Sequence, residues 1–248
     1  MLYRQILIAL IALQFTSQYG EGAIITQWNF NSIPADGSSS TGSLIPSLGV
    51  GSTVLVGGVS GTFADGNSEN RSSDPAGVDD TGRQLSSFPS QSAASRTAGL
   101  EFRVGTTGYE GVVLTWDQRN SNTASRYWAI DYTLNGTTWQ QFSGSYEINS
   151  GSNWFNGLTA DFTSISGANN NSDFGIRLLS IFDPLDSRYV ASNSLIPYGT
   201  SGTARFDRVT FNGTEITAVP EPRSFFAAAF AMFMVAVRMR RPLLSMPG

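Results

Sequence analysis

Residues 126–142 read RYWAIDYTLNGTTWQQF, and this stretch decides the fold. Trp128, Ile130, Tyr132 and Leu134 share one parity, while Ala129, Asp131 and Thr133 take the other. That is the period of a β-strand with one buried face, since successive side chains point to opposite sides. Asn135-Gly136 is predicted to form a two-residue turn, because both residues tolerate positive φ. Thr137 to Phe142 then returns as the second strand of a hairpin, carrying Trp139 on either side of the sheet.

The same signal recurs on both sides of this hairpin. Ile24 to Asn31, Thr53 to Val59, Leu100 to Val104 and Val112 to Asp117 read as strands before it. Leu158 to Thr163, Phe174 to Phe182 and Ala204 to Phe211 read as strands after it. Gly/Ser/Asn stretches separate them, the longest from Ala64 to Arg96, and no long helical period appears between Ala23 and Thr217. The expected fold is all-β: a two-sheet antiparallel β-sandwich of jelly-roll type over residues 23–217. Trp28, Trp116 and Trp128 fall inside strand runs and are expected in its core. Locally, IDYTLNGTTW resembles a hairpin of several extracellular β-sandwich modules. ARFDRVTFNG, residues 204–213, resembles the last strand of jelly-roll carbohydrate-binding modules.

Composition narrows the chemistry. The 248 residues contain no Cys and no His, and all 15 basic residues are arginine. Disulfides, zinc fingers, His-ligated metals, Ser-His-Asp triads, Cys nucleophiles and Schiff-base lysines are therefore excluded. Charged residues are only 14% while aromatics reach 12%, which suits an exported sandwich with a packed core better than a disordered chain. Acids outnumber arginines between Ala23 and Thr217, so no nucleic-acid partner is expected.

The two ends read as addresses. Met1 to Gln5 carries one positive charge, Ile6 to Leu13 is apolar, and small or polar residues run from Thr16 to Ala23. This is the order of a secretory signal peptide, a short apolar helix over residues 1–22, with cleavage before or after Ala23. At the other end, Val219-Pro220-Glu221-Pro222 precedes an uncharged stretch over residues 224–237, followed by Arg238, Arg240 and Arg241. The stretch is apolar on all faces, which suits a membrane helix rather than a surface helix. The arginines stay on the cytoplasmic side by the positive-inside rule.

A proline motif, an apolar helix and an arginine cluster in that order resemble the PEP-CTERM sorting signal of exported bacterial proteins, here over residues 218–248. The uncharged stretch is short for a span, and the tail Pro242 to Gly248 continues past the point where such signals usually stop. The resemblance implies an exosortase-type processing protease as partner and an inner-membrane intermediate. It also implies delivery to the cell surface or extracellular matrix, in association with exopolysaccharide.

Three kinds of site residue stand out in the domain. Trp154, flanked by Asn153 and Asn156 in GSNWFNG, is either a stacking platform for a sugar or a plug that caps the sandwich; Trp139 is a second aromatic candidate. Carboxylate pairs for a glycosidase, namely Asp79 with Asp80, Asp183 with Asp186, Glu101 with Glu110 and Asp117 with Asp131, sit in no motif that sets them across a cleft. For a metal, only hard oxygen ligands are available, so calcium is the candidate. Asp65 to Glu69 and Asp74 to Asp80 offer loop oxygens. The likeness to jelly-roll binding modules implies a structural calcium on the final strand, at Asp207; the alternative for Asp207 is an exposed residue near Arg205 or Arg208. The leading expectation is a non-enzymatic exported surface or matrix protein. A carbohydrate-binding module is the alternative, and a glycan-active hydrolase or lyase the further one.

Overall fold

A computed structural model describes residues 22–217, apart from residues 69, 92 and 143. The signal helix (residues 1–21 of it) and the sorting segment, with Val219, Pro220, Glu221, Pro222, Arg238, Arg240 and Arg241, lie outside the described residues.

In chain order the strands are β1 (Ala23–Trp28), β2 (Leu48–Gly49), β3 (Ser52–Val56), β4 (Ser60–Asp65), β5 (Thr81–Ser86), β6 (Ala98–Arg103) and β7 (Tyr109–Asn120). They continue as β8 (Tyr127–Thr133), β9 (Trp139–Gln141), β10 (Tyr146–Glu147), β11 (Trp154–Asp161), β12 (Gly175–Ser180) and β13 (Ala204–Glu215). A seven-stranded sheet runs β11-β7-β13-β1-β2, with β5 and then β4 beside the first part of β13. A six-stranded sheet runs β10-β8-β12-β6-β3, with β9 also on β8. All strand pairings are antiparallel. The described residues hold no α-helix, so the domain is the all-β two-sheet sandwich that the alternation predicts.

Aromatic rings from the inner faces lock the sheets together. Trp28 of β1 meets Phe102 of β6 at 5.1 Å, and Trp128 of β8 meets Phe206 of β13 at 5.5 Å. Trp28, Trp116 and Trp128 are all buried, as expected from their strand runs. Each finds an acceptor for its indole N–H: Leu44 O, Gln118 Oε1 and Ser125 O respectively. A tilted or edge-on aromatic pair adds about 1 kcal/mol beyond the area it buries.

Two expectations are corrected. The stretch from Ala64 to Arg96 is not one loop, because it holds β5 and the end of β4. β5 reads TGRQLS and buries Arg83 at the same parity as the core residue Leu85, so its inner face is not uniformly apolar. The hairpin turn also differs. β8 and β9 close at Thr133 with Trp139, leaving five residues, Leu134 to Thr138, in the loop. Of the Asn135-Gly136 pair, only Gly136 takes positive φ, at 72°. Asn135 works through its side chain instead: Oδ1 accepts from the backbone N–H of Thr137 (3.0 Å) and Thr138 (2.8 Å). The amide acts as an Asx turn, which wins over the two-residue geometry.

Candidate functional site

The outer face of the six-stranded sheet carries an ordered row of charge. Leu100, Phe102, Ile130, Ile176 and Leu178 point into the core, so the intervening Glu101, Arg103, Asp131 and Arg177 point out. Register sets Val54, Glu101, Arg177, Asp131 and Gln141 side by side across five strands. Glu101, its side chain only 6% exposed, accepts from Arg103 Nε at 2.5 Å and Arg177 Nε at 2.7 Å. Asp131 accepts from Arg96 Nε at 2.7 Å. Arg103 also donates to the carbonyl of Gly136 in the hairpin loop. The two guanidiniums held by Glu101 lie against the ring of Trp139, Arg177 at 3.8 Å from its centroid and Arg103 at 4.9 Å. Trp139 is thus on the outside of the sheet and partly exposed. The arginines keep a quarter to a third of their side chains in solvent, at 26% and 34%. Trp139 is a candidate legible from the sequence, whereas the ion pairs beneath it are not. Only their placement on the outer face is signalled, in the strand parity of Leu-Glu-Phe-Arg at 100–103.

Trp154 is placed otherwise. It opens β11, pairs with Arg119 of β7 and is 7% exposed, with its indole Nε1 buried and unpartnered. It is therefore a plug in the sheet rather than a loop platform. The flanking amides are also engaged: Asn153 donates to Ser150 Oγ at 2.6 Å, and Asn156 donates to the carbonyl of Arg71 at 3.0 Å. The sequence GSNWFNG looks like a loop because turn formers surround the tryptophan, yet tertiary pairing with β7 draws it into a strand.

The carboxylates do not pair across a cleft. Asp117 and Asp131 belong to different sheets. Asp186 is taken up by Arg188 at 2.6 Å within a turn that also contains Asp183. Asp79 accepts from the backbone of Asp36 and Gly37. A hollow of about 160 Å³ between Trp116, Tyr146 and Leu158 has no carboxylate in its lining.

Asp207 is not an exposed strand residue; it is fully buried on the outer face of the seven-stranded sheet. The chain from Arg71 to Asp80 folds over it and brings Asp74 and Asp80, 3% and 0% exposed. One carboxylate oxygen from each of Asp74, Asp80 and Asp207 lies within 4.8 Å of the other two. Asp117, register partner of Asp207, is buried beside them and is satisfied by Ser73 N and Oγ and by Gly157 N. Burial, reinforced by Asp80 and Asp74, pushes the Asp207 carboxyl well above the usual carboxylate range. Burial likewise pushes Asp80 up to about 6. The adjacent Arg205 spends its guanidinium on Asp65 O, Ser68 Oγ and Gln84 Oε1, and burial pushes it down to about 10.

No protein-family model matches the chain, and no curated protein matches it. Solved structures with a similar arrangement include the CBM22-1 xylan-binding domain of Paenibacillus barcinonensis Xyn10C, at 10% identity and a TM-score of 0.44, over 79% of this chain and 97% of that one. Another is the CBM22-1-GH10 portion of Clostridium thermocellum xylanase 10B, at 11% identity and a TM-score of 0.41, over 68% of this chain and 27% of that one. A third is the K1 cleaved adhesin domain of Lys-gingipain from Porphyromonas gingivalis, at 10% identity and a TM-score of 0.39, over 66% of this chain and 90% of that one.

Proposed function

We propose that this chain is an exported, non-catalytic surface or matrix protein whose jelly-roll-like sandwich binds extracellular glycan across the outer face of its six-stranded sheet. The observation that carries this reading is Trp139 on the outer face, stacked with Arg177 and Arg103, which Glu101 holds in place. An indole offers apolar area to the C–H face of a sugar, and neighbouring guanidinium N–H groups are donors for hydroxyl or carboxylate oxygens. Neutralising ion pairs fix those donors before a ligand arrives, which lowers the ordering cost of binding. A hydrolase reading has less support, because its two carboxylates need a shared cleft and the acid pairs read from the sequence are ion-paired, enclosed or on opposite sheets.

Delivery follows from the ends of the chain. The signal peptide starts export, the apolar stretch over residues 224–237 and the arginine cluster hold an inner-membrane intermediate, and an exosortase-type protease cuts near Pro220-Glu221-Pro222. The released domain then sits at the cell surface among exopolysaccharide. Retention of the protein in gels cast with the producing cell's own polysaccharide tests the binding claim. Native protein is retarded and Trp139→Ala migrates as in a blank gel; equal migration of both sinks the glycan reading. Mass spectrometry of the surface fraction tests delivery, and finding Met239 to Gly248 intact on all mature protein removes the processing claim.

A further inference from the structure

Glu101 sorts the donors of the two arginines against Trp139. Its oxygens each take one Nε–H, Oε1 from Arg103 at 2.5 Å and Oε2 from Arg177 at 2.7 Å. The terminal nitrogens remain. Arg103 Nη1 donates to the carbonyl of Gly136. Arg103 Nη2 and both Nη groups of Arg177 have no acceptor among the described residues, and none of them is buried. They therefore reach water on the outer face of the six-stranded sheet. Glu101 is 6% exposed with both oxygens engaged, so it offers an incoming group no free acceptor. Two guanidiniums on one carboxylate leave one positive charge in surplus against the indole, in a domain where acids outnumber arginines. The next ion pair in the same row, Arg96 with Asp131, is one to one and carries no surplus. Asp173, beside Gly136, forms no ion pair with either arginine.

We infer, on the glycan reading proposed above, that this face selects acidic polysaccharide: the carboxylate of a uronate unit is received by Arg177 and Arg103, beside a sugar face packed on Trp139. The free end of a guanidinium presents two parallel N–H groups that match the two oxygens of a carboxylate, and Arg177 presents that whole end. A neutral sugar offers only hydroxyls, whose bonds to guanidinium are about half as strong as those of an ionised acceptor. The donors are also fixed before binding. Glu101 holds each Nε, and the indole lies 3.8 Å from the Arg177 guanidinium and 4.9 Å from that of Arg103. Little side-chain freedom is left to lose when the carboxylate arrives. A face built for neutral glycan gains nothing from the surplus charge, whereas a uronate neutralises it.

The test runs the full chain, in mild detergent, through gels cast with the producing cell's own polysaccharide. One gel holds the polymer untreated, and the other holds it after carbodiimide and borohydride have reduced its uronates to neutral sugars. Reduction keeps the glycosidic linkages and removes only the carboxylates. Native protein is expected to bind the untreated polymer at least about tenfold more tightly, and added salt weakens that binding alone. Arg177→Gln binds both polymers at the level native protein shows for the reduced one. Should Arg177→Gln fail to fold, Arg103→Gln carries the same comparison. Arg71→Gln makes the same change in net charge at an exposed position away from this face, and it keeps the native preference. Equal binding of both polymers by native protein overturns the acidic selectivity and leaves the glycan reading standing. So does a preference that survives Arg177→Gln and Arg103→Gln, or one that Arg71→Gln also abolishes. No binding of either polymer by native protein overturns both.

Discussion

Substituting the two tryptophans near the glycan question separates stability from binding. Trp154 is 7% exposed and opens β11 beside β7, so Trp154→Ala empties a large packed volume. Deleting a buried Trp costs about 3–5 kcal/mol. For a domain of this size each kcal/mol moves the midpoint by about 2–4 °C, so the expected fall is on the order of 10 °C. Trp154→Phe behaves differently. It discards the indole N–H that has no acceptor, a desolvation cost of about 1–3 kcal/mol, and gives back part of that in lost contacts. Its midpoint therefore stays within a few degrees of native. Trp139→Ala removes a partly exposed ring stacked on two guanidiniums, a loss of about 1 kcal/mol. Differential scanning calorimetry gives the three midpoints, and polysaccharide affinity electrophoresis gives binding on the same samples. The reasoning requires Trp154→Ala to be the unstable variant and Trp139→Ala the one that no longer binds. If Trp154→Ala melts like native yet loses retention, the tryptophan is a ligand platform and its placement as a plug is wrong.

Three further outcomes follow from particular contacts. Glu101→Gln leaves Arg103 and Arg177 without their shared carboxylate in a half-buried layer and is expected to cost about 2–4 kcal/mol by denaturant unfolding, with weakened glycan retention, since the arginines over Trp139 lose their anchor. Gly66→Ala builds a Cβ that would meet Asp80 Oδ1 at 1.9 Å, so Asp80 must move from its buried position; thermal denaturation should record a loss of about 1–3 kcal/mol while far-UV circular dichroism remains that of a β protein. Asn135→Ala strips the backbone N–H groups of Thr137 and Thr138 of their acceptor, and chemical denaturation should record a loss of about 1–2 kcal/mol.

Strand period and turn residues made most of the sandwich legible. Tyr127 to Thr133, Ala98 to Arg103 and Gly175 to Ser180 alternate or run apolar strongly enough to be found from local pattern alone. β5 escaped because it buries Arg83 at the same parity as the core residue Leu85, which breaks the apolar period of its inner face. The Asn135-Gly136 pair marked a turn correctly, but its form depended on where pairing with β9 begins, which is a property of two strands together.

The site divides in the same way. By itself the sequence determined that residues 23–217 are all-β, with chemistry limited to oxygen ligands, arginines and aromatics, because residue types and local periodicity need no partner to be read. It also marked Asp74 to Asp80 and Asp207 as separate carriers of metal-ligand oxygens. Only the tertiary structure decided that they meet, that Trp154 is inside, and that Trp139 lies outside over an ion-paired layer. The physical reason is that burial and electrostatic deficit belong to an assembled environment. An aspartate is solvated and unremarkable until the fold removes its water and sets two more carboxylates within reach.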